Sequence, residues 1–299
     1  MQAKNIVITV LVLALVGVVI FLFLGMSSET IVVNEETPDT TPVEERLPVE
    51  PDGGIGDGAE PLPEVIETAR GSETLLGTSV EGTEIRAYHF GNGTQEIVLI
   101  GGVHGSYSPN TSALGDEFVS YFTENESDIP ENVLLTIIPN LNPDGTAAGG
   151  TAGRFNTNDV DLNRNFDCEW SATGVWRQQE VSGGSAPFSE PEAAALRDYI
   201  LHYEPAAAVV WFSAEGKVYP SACAGTPSNA SVELAATFAS AAGYPAEAEF
   251  DAYAITGDMV NWMAKEKIPA ISVLLSDHQS TEWSKNLAGV KAILNTYAE

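Results

Sequence analysis

Apolar and polar positions divide the chain into three stretches. Ile6 to Leu24 is an almost unbroken apolar run, interrupted only by Thr9 and Gly17. Residues 27–67 are dominated by Glu, Asp, Pro, Thr and Gly, with Arg46 the lone base. From about Thr68 onward, short apolar runs alternate with longer periodic ones. Glu84–Phe90, Glu96–Gly102 and Asn132–Ile138 are rich in β-branched residues and bounded by Gly or Asn, which predicts strands. Ala207–Phe212 and Ala270–Leu275 read as buried strands. Thr111–Phe122, Glu190–Tyr203, Asn229–Ala242 and Lys285–Tyr297 read as helices, the second opened by Ser189-Glu190-Pro191-Glu192. Strands interleaved with helices predict an α/β domain over residues 68–299, with a mixed, mostly parallel sheet covered on both faces. In such sheets ligands bind beyond the carboxyl ends of the strands, which points to the segments after Gly102, Pro139, Phe212 and Leu275.

As a helix, the first run would measure about 28 Å at ~1.5 Å per residue, close to the roughly 30 Å core of a bilayer. It has no polar face with which to pack in a soluble domain. Residues 1–26 are therefore expected to be a transmembrane anchor, a cleaved signal peptide being the alternative. Lys4 is the only basic side chain near the span and acidic residues crowd its far side. That asymmetry predicts a single-pass cell-membrane protein, N-terminus cytoplasmic and domain outside. Residues 27–67 lack the apolar surface to offset ordering and are expected to be a disordered linker. The net charge of −29 argues against nucleic acid or an anionic lipid surface as partner.

Two cysteines, Cys168 and Cys223, follow two segments of interest, and outside the cell they are expected to bridge; two free thiols are the alternative. Of the four histidines, His89 falls in an early strand and His202 at a helix end, both ordinary structural placements.

The chemistry concentrates in Gly101-Gly102-Val103-His104-Gly105, in Ile137–Gly145 (IIPNLNPDG), and in Gly153–Phe166 (GRFNTNDVDLNRNF). Phe188–Leu196, Tyr253–Trp262 and Lys267–Leu275 follow in order. This succession resembles the zinc carboxypeptidase family across the whole of the folded domain. The resemblance implies the zinc-exopeptidase fold. It also implies that Asn163 and Arg164 grip a substrate's terminal carboxylate, that Arg154 polarises the scissile carbonyl, and that Tyr253 closes over the peptide. An arginine's planar fork is the natural partner of a carboxylate.

Against that pattern the metal positions are depleted. A catalytic zinc needs three protein ligands and an open position for water. His104 stands in place, but Tyr107 occupies the position of the glutamate ligand and Phe212 that of the second histidine. Leu274 takes the place of the general-base glutamate, so no confident catalytic residue remains. Glu215 and His278 are substitutes that with His104 could build a relocated metal site, Tyr107 or Asp144 could also approach, and Tyr107, Phe212 and Leu274 are expected instead to close the old metal cavity with apolar contacts. The sequence thus leans toward a membrane-anchored pseudoenzyme with no cofactor, binding peptide or cell-wall stem-peptide carboxylates. The alternative is a divergent active metallocarboxypeptidase or peptidoglycan amidase that retains zinc.

Overall fold

The computed structural model describes residues 70–298. The anchor and linker expected from the first 67 residues lie outside these. Among the described residues no helix is long and apolar enough to cross a membrane.

Strands β1 (Glu73–Thr78), β2 (Glu84–Phe90) and β3 (Gln95–Ile100) precede helix α1 (Pro109–Glu124). Strand β4 (Val133–Ile138), the short helix α2 (Pro143–Ala148) and a hairpin of β5 (Thr173–Trp176) and β6 (Gln179–Ser182) follow. Helix α3 (Pro191–Tyr203), β7 (Ala207–Ser213), β8 (Lys217–Pro220) and α4 (Asn229–Ala242) come next. Helix α5 (Met259–Lys265), β9 (Ala270–Leu275) and α6 (Trp283–Thr296) complete the described part. The seven-stranded sheet runs β1-β2-β4-β3-β7-β9-β8. Its four central strands, β4, β3, β7 and β9, are parallel, and antiparallel strands flank them. The mixed α/β fold with a mainly parallel centre is as the sequence predicts.

Successive side chains on a strand point to opposite faces, and the two cores divide accordingly. Ile97 and Leu99 of β3 join Phe118 and Phe122 of α1, Phe238 of α4 and Ile293 of α6 in one core. Val98 and Ile100 join Leu196 and Ile200 of α3 and Trp262 and Met263 of α5 in the other. Strands buried on both faces lose alternation and read as continuous apolar runs, which is why β3, β7 and β9 stood out in the sequence. Less apolar elements did not. β1 and β8 are edge strands, α2 and α5 are short, and the β5–β6 hairpin forms a separate two-stranded sheet. Helix α3 begins one residue later than expected: Glu190 is its N-cap, with no side-chain capping bond, and Ser189 instead donates to the Glu190 carboxylate.

Three features tie the domain together. Cys168 and Cys223 form a disulfide, their Cα atoms 5.8 Å apart. Glu96 at the start of β3 accepts from Arg70, Thr136 and Tyr199 at once. His89 on β2 lies between Thr74 (2.8 Å) and Thr136 (3.0 Å). Burial, reinforced by the nearby Arg70 charge, pushes the His89 imidazole down to about 4.

The bridge closes a span of 55 residues, so the Cys168→Ser/Cys223→Ser double variant should lose up to about 4 kcal/mol by loop-closure entropy. Urea unfolding monitored by circular dichroism checks it. For His89 the unfolded state binds the proton first as pH falls. Its contribution to stability is thus complete above about 6.5 and lost on descending to about 4, on the order of 3 kcal/mol. His89→Gln should flatten that part of the pH–stability profile, as urea titrations between pH 7 and 4 would show.

Candidate ligand-binding site

The carboxyl ends of β3, β7 and β9 open onto one pocket, of about 280 Å³. After β3 the chain turns through Gly102, whose φ of +66° and contact with Asn140 exclude a side chain. That turn delivers His104 to the pocket floor. Phe212 and Leu274 lie opposite each other in the β7–β9 register and both line the pocket. The Phe212 ring packs on His104 with centroids 5.5 Å apart.

Asp161 organises the floor. Fully buried, it accepts from Arg154 Nε (3.1 Å) and Nη2 (2.7 Å) through one oxygen. Its other oxygen accepts from His104 Nε2 (3.2 Å) and the Asn163 backbone N–H (3.1 Å). Burial would raise this carboxyl, but the Arg154 guanidinium and then His104 outweigh it and hold it far below the usual carboxylate range. His104 is driven the other way, down to about 4, by burial and by the Arg154 charge. A neutral imidazole whose Nε2 donates to Asp161 must use Nδ1 as acceptor, and Arg154 Nη1 lies 3.3 Å from that atom. Arg154 is further held against the Trp176 face (4.4 Å) and near the Tyr107 ring (5.6 Å).

This arrangement bears directly on a metal. Both imidazole nitrogens of His104 are engaged, and a guanidinium, itself cationic, faces the nitrogen a metal would need. Phe212 and Leu274 supply no donor atom. Tyr107 turns away to pack its ring edge against Trp176 (5.1 Å) and His278 (4.7 Å). Glu215 pairs with Lys217 at 3.6 Å. His278 approaches Ser108 (3.5 Å). Among the described residues no three His, Cys, Asp or Glu side chains are grouped to hold a metal ion. Among the described residues the relocated site of Glu215, His278 and His104 is therefore not assembled, because each is engaged with its own neighbours. The residues present do not fit a zinc ion. Of the three residues expected to close the old cavity, Phe212 packs on His104 and lines the pocket with Leu274, while Tyr107 sits behind the pocket-lining Trp176.

Arg164 is 1% exposed and lines the same pocket. Its Nη1 donates to the Asn163 carbonyl (2.8 Å) and Nη2 to that of Val175 on the hairpin (2.9 Å), while Nε is buried without a partner. No carboxylate among the described residues pairs with it at 4 Å or less. Tyr253 lines the pocket too, its ring 5.9 Å from the guanidinium and packed on Phe250. Asn163 is less free than expected. Its amide donates to Asp258 (2.7 Å) and accepts from the Met259 N–H (3.0 Å), fixing the start of α5. Asp258 caps α5 through the Asn261 N–H (2.8 Å). Gly257, at φ +61°, lets the chain pass against the Arg164 carbonyl, where a Cβ would clash.

Sequence reasoning did not assign Asp161, Trp176 or Asp258 to the site. An acid next to the Asn-Arg pair was a signal for the first. Asp258 precedes a helix and is indistinguishable in sequence from an ordinary cap.

With this geometry in view, comparison with known proteins gives a clear result. The sequence pattern of the zinc carboxypeptidase family matches residues 71–284. The chain belongs to that family. A carboxypeptidase B of Astacus astacus is 32% identical over 148 residues, 43% of this chain and 48% of that protein. Bacteriocin BCN5 of Clostridium perfringens is 34% identical over 137 residues, 42% of this chain and 15% of that protein. The chain thus spans less than half the length of either relative. Murein-tripeptide amidase MpaA from Escherichia coli O157 shares the fold, with a TM-score of 0.58 and 21% identity over 78% of this chain and 94% of that one.

Replacing Arg154 with alanine would leave the Asp161 carboxylate buried and short of its main partner. A loss of about 3–5 kcal/mol in folding stability is expected, measurable by chemical denaturation.

Proposed function

We propose that this zinc-carboxypeptidase family member is a non-catalytic receptor for free C-terminal carboxylates of peptides or cell-wall stem peptides. One observation carries the reading. Arg164 is a buried guanidinium at the pocket wall with, among the described residues, no carboxylate within 4 Å and no partner for Nε. A buried charge without a counter-ion is costly unless a ligand completes it. Arg164 would take the carboxylate, Arg154 would face the preceding carbonyl, and Tyr253 would cover the bound residue. Asn163 acts by fixing Asp258 and the start of α5.

The chemistry of hydrolysis lacks its parts here. No side chain at the Phe212 or Leu274 position can bind a metal or accept a proton, and His104 is committed to Arg154 and Asp161. The family resemblance to peptidases and to a murein-tripeptide amidase supports a peptide-like ligand. The apolar run Ile6–Leu24 would hold the domain at the outer face of a membrane.

The test uses the full chain. Calorimetric titration with acetyl-Ala-Ala-Ala should show binding, and the C-terminally amidated peptide should bind at least ~10-fold more weakly. Arg164→Ala should lose the difference between the two. Stoichiometric zinc by elemental analysis, together with release of the terminal alanine, would instead establish an active metallopeptidase.

A further inference from the structure

Among the described residues Arg164, Arg177 and Lys267 are the Lys and Arg side chains that make no ion pair at 4 Å or less. On a chain with 42 acidic and 13 basic residues, an unpaired cation is unusual, and two of these belong to one hairpin. The Arg164 charge is at least felt by the buried Asp258, and its guanidinium bonds the Val175 carbonyl of β5. Arg177 stands at the tip of the same hairpin. Trp176 pairs with Gln179, so Arg177 and Gln178 form a two-residue loop. Arg177 holds φ +57° at its first position, where glycine is the usual occupant because a side chain there is strained. The exposed guanidinium makes no hydrogen bond among the described residues and lies 5.4 Å from the Trp176 ring. Trp176 lines the pocket and carries Arg154 as well, 4.4 Å from the same ring. His278 is near both arginines: burial first, then the Arg177 charge, drives its imidazole below its ordinary value. Asp277 beside it turns an oxygen to the Gln279 and Ser280 N–H groups.

We propose that Arg177 is a second anion-binding point outside the pocket, which selects peptides carrying an acidic side chain one or two residues before the C-terminal residue. The inference rests on the carboxylate-receptor reading above and extends it to the upstream part of the ligand. A peptide held by its carboxylate at Arg164, with its preceding carbonyl at Arg154, continues past the indole that Arg154 shares with Arg177. An extended chain advances about 3.5 Å per residue. A side chain one or two residues upstream therefore covers the step from Arg154 to Arg177. Arg154 is committed to Asp161, and His278 is driven towards its neutral form, so Arg177 is the cation left for a second carboxylate. A guanidinium beside an aromatic ring keeps its planar fork for such a partner. Elsewhere on a chain of net charge −29 the same acidic group would meet repulsion. The strained loop position is then retained for recognition, not for folding.

The experiment is calorimetric titration of the full chain with acetyl-Ala-Glu-Ala, acetyl-Ala-Gln-Ala, acetyl-Glu-Ala-Ala and acetyl-Gln-Ala-Ala, with amidated acetyl-Ala-Glu-Ala as the control for the terminal carboxylate. At low salt, glutamate should bind ~5-fold tighter than glutamine in at least one of the two positions, and high salt should shrink the difference. Arg177→Gly removes the charge and relieves the turn, so it should abolish the glutamate preference without lowering the melting temperature. Arg177→Gln removes the charge alone and should abolish the preference too, which keeps the test decisive should the glycine variant fold poorly. Arg177→Lys should retain part of it. Glutamate and glutamine peptides binding within about twofold of each other in both positions would overturn this inference and leave the carboxylate reading standing. A preference unmoved by Arg177→Gly and Arg177→Gln would do the same. Equal binding of the amidated peptide, or no binding of any free-carboxylate peptide, would overturn both.

Discussion

Everything on the floor of the pocket depends on one buried carboxylate. Asp161 is held ionised in an environment that disfavours charge, and it can be so only because Arg154 and His104 close around it. The consequence is a satisfied polar network in which each member fixes the next. His104 is kept neutral with a defined tautomer, Arg154 is oriented across the Trp176 face, and the Asn163 backbone is drawn into the turn that presents Arg164. A half-satisfied network of this kind would cost more than an apolar core, so its members are expected to stand or fall together. The same network explains how the fold keeps a cationic centre without a metal ligand set: the positive charge beside the imidazole is a guanidinium.

Most of the fold was legible in the sequence because the central strands and long helices bury apolar faces. β3, β7 and β9 are continuous apolar runs, and α1 and α4 carry helical periodicity. The elements that went unread are those whose stability comes from context. β8 is held by pairing with β9, α5 by the Asp258 cap and the Asn163 amide, and the β5–β6 hairpin by the Arg164 bond to Val175. The four-residue strands of Thr173–Ser182 pair with each other but are too short to announce themselves, and the Arg164 side chain anchors them from outside the hairpin.

The site was legible in part. Residue identity alone shows that Phe212 and Leu274 cannot do a ligand's or a base's work. The fate of His104 was not readable, because it turns on the direction in which Arg154 points. An arginine that in sequence looks like a substrate-facing group is, in space, divided between Asp161, the imidazole and two aromatic faces. Asn163 is similar: its type suits a ligand, but its amide is taken by the start of α5. Which of several polar residues remains available to a ligand depends on the bonds already made, and those are set by tertiary structure. Arg164 is the residue whose guanidinium lies in the pocket wall with its Nε unbonded.

The Cys168–Cys223 disulfide joins the loop that follows Arg164 to the wall that contains Ala222 and Gly225. These two sides of the cavity are therefore covalently fastened to each other and cannot separate widely. Recognition through such a fixed aperture has a kinetic signature: arrival is limited by diffusion and orientation, not by opening of the walls. Differences between ligands would then be expressed mainly in how long each one stays.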